Sequence, residues 1–434
     1  MLNRLDLRGV DDLADRLPRP RVDGDEPVAA VRGILGDVRE RGDAALLELT
    51  ERFDGVALES IEVPAADLAE ALEELDPVVR DALELAASRI EAHHRAQLRP
   101  EVRHGADGVD IRSYQRPVDR VGCYVPGGRA AYPSTLLMTA VPALVAGVPE
   151  VVVCVPPDRA TGRVSPVTLA AAAVAGVQRV FAVGGAQAIA AMAYGTATVP
   201  AVDVICGPGN KYVALAQKEV AGTVGVAAAF AGPSEVVVVA DDTVAPELAA
   251  IDVILQAEHG PDGLAWLITW DEEVADRVTA EVQRLTEAAP RRDEIASTLA
   301  QGGYAVVVDG PSAAIDVANL VAPEHLELLC ADAESLVPAV ANAGAIFLGP
   351  WSPASVGDYL AGPSHVLPTY GTARFASALT VDDFLKHHHV ITVAAEVYAP
   401  GAPLADAVEA LATAEGLDAH AESVRLRRTR LGEQ

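Results

Sequence analysis

The chain has 434 residues, half of them hydrophobic, enough for about two to four domains with sizeable cores. Its 33 basic residues stand against 62 acidic ones, a net charge of −29. Such a surface repels phosphate backbones and argues against nucleic-acid or anionic-membrane partners, while leaving a small-molecule site unconstrained. The four cysteines, Cys123, Cys154, Cys206 and Cys330, show no C-x-x-C spacing and fit a reduced, cytoplasmic setting. Met1–Asp12 is charged throughout and shows no signal-peptide core. The longest apolar stretch, Leu136–Val148, is broken by Pro142 and too short to span a bilayer.

Residues 1–100 read as helical, with apolar positions at helical spacing over Val28–Phe53 and Asp76–Leu98. Ile111–Val118 reads as a strand. From about residue 120, short β-branched runs alternate with Ala-rich helices. Strands are expected at Val151–Val155, Arg179–Val183 and Val202–Cys206, and helices at Ser165–Ala175, Ala186–Ala193 and Asn210–Ala221. That βαβαβ order implies parallel pairing and right-handed crossovers. A second series follows: strands at Glu235–Ala240, Leu264–Thr269, Tyr304–Val308, His325–Leu328 and Ala345–Leu348, with helices at Val244–Ala257 and Glu272–Ala289. Their continuous apolar character suits strands covered on both faces. Ala402–Leu431 reads as a helix that ends basic, in Arg425, Arg427, Arg428 and Arg430. The expected fold is α/β: two open parallel-sheet, incomplete Rossmann-like domains facing each other, plus small helical N- and C-terminal tail regions.

Three glycine-rich turns stand out in the first series: Gly122-Cys123-Tyr124-Val125-Pro126-Gly127-Gly128, Gly184-Gly185-Ala186-Gln187 and Gly207-Pro208-Gly209-Asn210-Lys211. Backbone N–H groups at such helix starts suit phosphate oxygens, and ligands of open α/β sheets bind at the carboxyl ends of strands. Tyr124, Gln187 and Asn210 would then line one rim. The bland alternative is that these glycines only make tight turns. No G-x-G-x-x-G fingerprint occurs, so a dinucleotide would have to bind in another way than the standard Rossmann one.

The second series carries the titratable groups. Gln256 and His259, three apart, share a helical face. Glu324–His325 follows Pro323 at a strand start, Asp358 sits in Ser355-Val356-Gly357-Asp358, and His420 lies in the terminal helix. An amide oxygen, a carboxylate and two imidazoles make a thiolate-free ligand set of the kind catalytic zinc uses. A Gln-x-x-His pair also reads as a mere helix-end polar pair, and Glu324–His325 as a solvated pair. His387-His388-His389 reads as a solvated face or loop. Nothing places a base beside Cys123 or Cys154, so both read as structural.

These segments, in order, resemble histidinol dehydrogenase. The resemblance rests on Gly122–Gly128, Gly184–Gln187, Gly207–Lys211, Ala231-Gly232-Pro233-Ser234-Glu235, Gln256-Ala257-Glu258-His259-Gly260, Ala322-Pro323-Glu324-His325-Leu326 and Ser355–Asp358. Val38–Gly55 and Ala414-Glu415-Gly416-Leu417-Asp418-Ala419-His420 extend it over essentially the whole chain. One departure is the apolar lead-in Val226–Phe230, where a more polar run is expected.

The resemblance implies oxidation of L-histidinol to L-histidine through L-histidinal with two NAD⁺, the last steps of histidine biosynthesis. It implies one zinc per subunit on Gln256, His259, Asp358 and His420, and NAD near Tyr124, Gln187 and Asn210. Substrate would contact Ser234, Gln256, His259, Glu324, His325, Asp358, Glu415 and His420. It further implies a homodimer in which Glu415 and His420 complete the other subunit's site. The implied division is a substrate and metal domain (25–123 and 234–380), a cofactor-side domain (124–233) and a tail or dimerisation region (1–24 and 381–434).

For the chemistry, His325 is the expected base in both hydride steps and Glu324 the activator of water. Adjacent side chains on a strand point to opposite faces, so this division of labour demands a bend at Pro323. A zinc hydrolase using Glu324 on metal-bound water, or a non-catalytic zinc- or imidazole-binding protein, remain open readings of the residues alone.

Overall fold

The computed structural model describes residues 2–18, 27–127, 130–227, 234–260 and 263–433, and of His259 only the backbone. Gly128, the stretch 228–230 of the apolar lead-in, and Ala231-Gly232-Pro233 lie outside the described residues. Strands in chain order are β1 (Asn3–Asp6), β2 (Val102–Ala106), β3 (Val109–Pro117), β4 (Arg120–Tyr124), β5 (Glu150–Val155), β6 (Arg179–Ala182) and β7 (Val204–Cys206). They continue with β8 (Gly225–Val226), β9 (Glu235–Ala240), β10 (Leu264–Thr269), β11 (Gly303–Val307), β12 (His325–Leu329), β13 (Ala345–Leu348) and β14 (Leu385–Val393). The chain divides into a larger unit, Met1–Gln97 with Val118–Phe384, and a smaller one, Leu98–Pro117 with Leu385–Gln434.

The larger unit holds two parallel sheets, ordered β6-β5-β4-β7-β8 and β1-β11-β10-β9-β12-β13. Counted from β4 and from β9, each runs third-second-first-fourth-fifth, the order of a doubly wound nucleotide fold short of its sixth strand, and β1 extends the larger sheet beyond β11. The chain therefore reverses direction across the sheet between β4 and β7 in one, and between β9 and β12 in the other. The expected α/β class with two open parallel sheets holds.

The apolar runs explain themselves once covered on both faces. All six residues of β9 are buried. Val236 and Val238 pack with Ala249, Val253 and Ile254 of the helix Pro246–Leu255. Val237 and Val239 pack on the opposite side with Ile315, Leu326 and Leu328. A strand with two buried faces shows no alternation, which is why the sequence reads as a block of valines.

Four local expectations need correction. Asn3–Asp6 is a strand, not helix: it adds β1 parallel to β11, with Leu5 opposite Val306. Four residues give too short a pattern to announce a strand, and only the waiting sheet edge makes one. The helical Val28–Phe53 segment is two helices, Val28–Arg41 and Asp43–Asp54, parted at Gly42. Gly122, Cys123 and Tyr124 lie inside β4 rather than in a turn. A Cβ at Gly122 would meet the Met192 sulfur at 2.5 Å, so this glycine serves close packing, not a bend. The tail, finally, is not one helix but two, Pro403–Ala414 and Asp418–Gly432, with the break at Glu415–Leu417.

In the smaller unit β14, β3 and β2 form an antiparallel sheet. The histidine run occupies the exposed strand β14, where His389 meets Ser113 at 2.9 Å and His388 stacks on Tyr114. Two of the tail's basic residues are neutralised locally: Arg425 and Arg428 both pair with Glu409 of the preceding helix, at 2.7 and 3.0 Å. Among the described residues, no helix is long and apolar enough to cross a membrane.

The N-terminal helices share a core with the five-stranded sheet, Val31 and Leu46 packing with Ile189 and Met192. The second of them ends at Asp54, whose Oδ2 is buried without a partner. Burial pushes this carboxyl up to about 6, with Arg159 pulling the other way. The ionised form is thus disfavoured in the fold. The penalty is absent below the ordinary carboxyl value of about 4, grows as pH rises toward 6, and is complete above it. Asp54→Asn is expected to stabilise the protein at pH 7–8 by about 1 kcal/mol, allowing for solvent screening of a partly exposed group. The gain should vanish near pH 4. Thermal melts at the two pH values check this, and an effect of the same size at both would count against it.

Candidate active site

The titratable residues gather at the amino ends of β9 and β12, the two strands that flank the chain reversal of the six-stranded sheet. This is the opposite edge from the one sheet geometry favours for ligands. The connecting helices run back to this edge, so Gln256 arrives at the end of the helix Pro246–Leu255 and Glu324 just after the helix Pro311–Val321.

The bend demanded at Pro323 is present. Ala322 adopts a left-handed conformation, φ 52, before the proline and the start of β12. Backbone N–H groups of Gly344 and Ala345 donate to the carbonyls of Pro323 and Glu324, both at 2.9 Å, and pin the bent segment. Its consequence is that Glu324 and His325 converge instead of diverging: Glu324 Oε2 lies 3.7 Å from His325 Nδ1. Glu235 brackets both. Its N–H donates to Glu324 Oε2 at 3.0 Å, and its carbonyl lies 3.3 Å from His325 Nδ1. His325 Nε2 stands 3.3 Å from Asp358 Oδ1, across the site.

Burial sets the proton affinities. It drives the Glu324 carboxyl up to about 7, against the pull of a His325 cation. On His325 burial opposes the charge, but Glu324 and Asp358 outweigh it and hold the imidazolium at about 9. Burial, then the Glu324 charge, raises Glu235 to about 8. Two buried carboxyls and an imidazole therefore compete for protons close to neutral pH, the condition for acid–base work.

Asp358 comes from the short helix Ala354–Tyr359 and also receives Gln256 Nε2 at 3.5 Å. Gln256 is buried and opens the 3-10 turn Gln256–His259, which ends at position 259. His365 lies 2.9 Å from the Asp358 carbonyl through Nδ1 and 3.1 Å from Thr135 Oγ1 through Nε2. Ser234 directly precedes β9. Among the described residues, no group of three or more His, Cys, Asp and Glu is arranged to hold a metal. Glu415 and His420 belong to the smaller unit and are exposed there.

The other rim lies at the carboxyl ends of β4, β6 and β7. Tyr124 is buried, and its hydroxyl accepts from Gly185 N–H at 3.1 Å, at the start of the helix Gly185–Tyr194. Burial pushes its phenol up to about 12. Gln187 is buried one turn into that helix. Asn210 caps the helix Lys211–Val220, its side-chain oxygen accepting from Tyr212 and Val213 N–H at 3.0 and 3.2 Å. All four cysteines are free and buried, and burial lifts the Cys154 thiol far above its ordinary range, which suits a structural role.

A family model described as histidinol dehydrogenase matches residues 17–428. The chain belongs to the histidinol dehydrogenase family. It is 52% identical over 406 residues to a histidinol dehydrogenase of a Synechococcus species, covering 93% of this chain and 92% of that one. The corresponding protein of Rhizobium meliloti is 45% identical over 436 residues, covering 100% and 99%. Among solved structures, the histidinol dehydrogenase of Elizabethkingia anophelis superposes with a TM-score of 0.94 at 33% identity, over 99% of both chains. Membership makes this chain an oxidoreductase of histidine biosynthesis.

Within the family frame, the sequence reading overlooked Glu235, His365, Asp252 and Glu327. Asp252 and Glu327 did carry a signal. Each is a lone acid inside an apolar run, Ala249–Leu255 and Leu326–Leu329, and both are buried. A buried charge is almost never idle. Glu235 carried a weaker one, as the acid that opens an all-buried strand.

Proposed function

We propose that the chain oxidises L-histidinol to L-histidine through L-histidinal, with His325 as base in both hydride steps and Glu324 as activator of the attacking water. The observation that carries this reading is the convergence of the two side chains, 3.7 Å apart, at the bend before β12, where an extended chain would have separated them. Glu235 holds Nδ1 of His325 and leaves Nε2 directed into the site. From there Nε2 can take the substrate's hydroxyl proton whenever the ring is neutral, a fraction that grows as pH rises toward 9. Glu324, held near 7 by burial, can accept a proton from water at neutral pH.

Tyr124, Gln187 and Asn210 would line the place of NAD, the five-stranded half being the cofactor side and the six-stranded half the substrate and metal side. Gln256, His259, Asp358 and His420 would hold zinc, with Ser234 and Glu415 joining them around the substrate. Gln256 and Asp358, an amide and a carboxylate already 3.5 Å apart at one edge, fit such a donor set. When bound, NAD supplies the hydride acceptor and zinc a cation that orients the substrate's imidazole and amine. The same reading makes the protein a cytoplasmic homodimer in which Glu415 and His420 serve the other subunit's site.

The test is direct. Purified protein with L-histidinol and NAD is expected to generate reduced-nicotinamide absorbance, which chelation abolishes and zinc restores. Metal-replete protein that yields no reduced cofactor would sink the reading.

A further inference from the structure

Glu327 lies two residues beyond His325 on β12, on the same face, and its side chain is wholly buried. Its Oε1 accepts from Ala354 N–H at 3.0 Å, the first residue of the short helix that carries Asp358. Its Oε2 meets no donor. The Glu327 side chain shares a hydrogen bond with the Asp252 carboxyl, which is 5% exposed. Asp252 sits on the helix Pro246–Leu255, four residues before Gln256. Two carboxyls in contact without solvent resist ionising together, because burial penalises each charge and each repels the other. One proton between them removes the repulsion and satisfies the orphan oxygen together.

We infer that Asp252 and Glu327 form a buried carboxyl–carboxylate pair that positions the Gln256-bearing helix and the Asp358-bearing helix against His325. Neither is a catalytic residue. Burial, then the Asp252 charge, pushes the Glu327 carboxyl well above the ordinary carboxyl range, and burial raises Asp252 as well, so the pair keeps a proton at neutral pH. One side chain thereby ties three separate elements: β12 by the backbone, the Asp358 helix through its first N–H, and the Gln256 helix through Asp252. The inference rests on the proposed role of Gln256 and Asp358 as zinc donors.

The test compares Glu327→Gln, Glu327→Ala and, as a control, Asp358→Ala in the full-length protein. Zinc affinity is read by chelator competition, folding by circular dichroism, and turnover as separate kcat and KM. Glutamine mimics the protonated acid: its carbonyl can accept from Ala354 and its amide can donate to Asp252. Glu327→Gln should therefore keep zinc affinity and kcat close to the parent. Glu327→Ala should lose about 10–100-fold in zinc affinity, as expected when support for a metal ligand is removed. Glu235 and Glu324 contribute protonated-carboxyl absorption to both proteins, so the parent-minus-Glu327→Gln infrared difference spectrum is read; it should contain one further protonated-carboxyl stretch at neutral pH, lost in the variant.

A folded Glu327→Gln that loses zinc as badly as the alanine variant overturns the shared proton. A folded Glu327→Ala with parental zinc affinity, beside an Asp358→Ala that loses it, overturns the positioning role alone. An Asp358→Ala that binds zinc normally defeats the donor assignment under the proposed function, and the inference with it. Should the alanine variant not fold, the glutamine variant decides: parental zinc affinity with loss of the carboxyl stretch supports the pair, and any other combination overturns it.

Discussion

Glu324→Gln is expected to stop the reaction halfway. Under the proposed roles the alcohol step draws its base from His325 and not from Glu324, so histidinol should still reduce NAD, but histidinal supplied directly should not become histidine at an appreciable rate. Removing a positioned base costs about 10²–10⁴-fold in the step it serves. One reduced cofactor per histidinol in place of two, with aldehyde detectable by trapping, is the expected signature. The fold should survive, because the glutamine carbonyl can still accept the Glu235 N–H that Glu324 accepts at 3.0 Å. Normal conversion of histidinal to histidine would remove Glu324 from water activation. An equal loss in both steps would instead point to a general role in orienting His325, whose Nδ1 lies 3.7 Å away.

The second large effect concerns stability. Gly207 closes the turn after β7 with φ 112, and a Cβ there would run into the carbonyl oxygen of Tyr124 at the end of β4. Backbone cannot swing aside as a side-chain tip does, and the φ value is itself costly for alanine. Overpacking and strain together put Gly207→Ala at about 3–5 kcal/mol of destabilisation. That corresponds to a fall in Tm of roughly 5 °C for a chain of this length, or to protein that fails to accumulate in soluble form. A melting temperature within a degree or two of the parent would show that the close approach of the two strands is not maintained in solution.

Much of the molecule was legible before any coordinates. Strands such as Glu235–Ala240 and Leu264–Thr269 fall where the apolar runs place them, because burial on both faces writes itself as an unbroken apolar block. The helix starts at Pro166 and Lys211 follow Ser165 and Asn210, residues whose chemistry favours the position. The ordered motifs led to the family that the matched model and relatives show. These are short-range signals, in which the residues that form an element also announce it.

What failed to show was everything that depends on a distant partner. Asn3–Asp6 becomes a strand only because β11 offers an edge, 300 residues away in sequence from Asn3 to Gly303. The tail divides into two helices so that Arg425 and Arg428 can fold back on Glu409. Asp252 and Glu327 are lone acids in apolar runs, and only the packing of a helix on β12 brings them together.

The sequence by itself determined the class of fold, the positions of most elements and the family, since periodicity, capping and motif order are local properties of a chain. Only the tertiary structure decided where the chemistry sits. Strand order brought β9 beside β12, the left-handed Ala322 turned Glu324 back toward His325, and Asp358 came within reach from more than thirty residues downstream. Those contacts depend on which elements become neighbours, which is set by the packing of the whole unit, and no local pattern contains it.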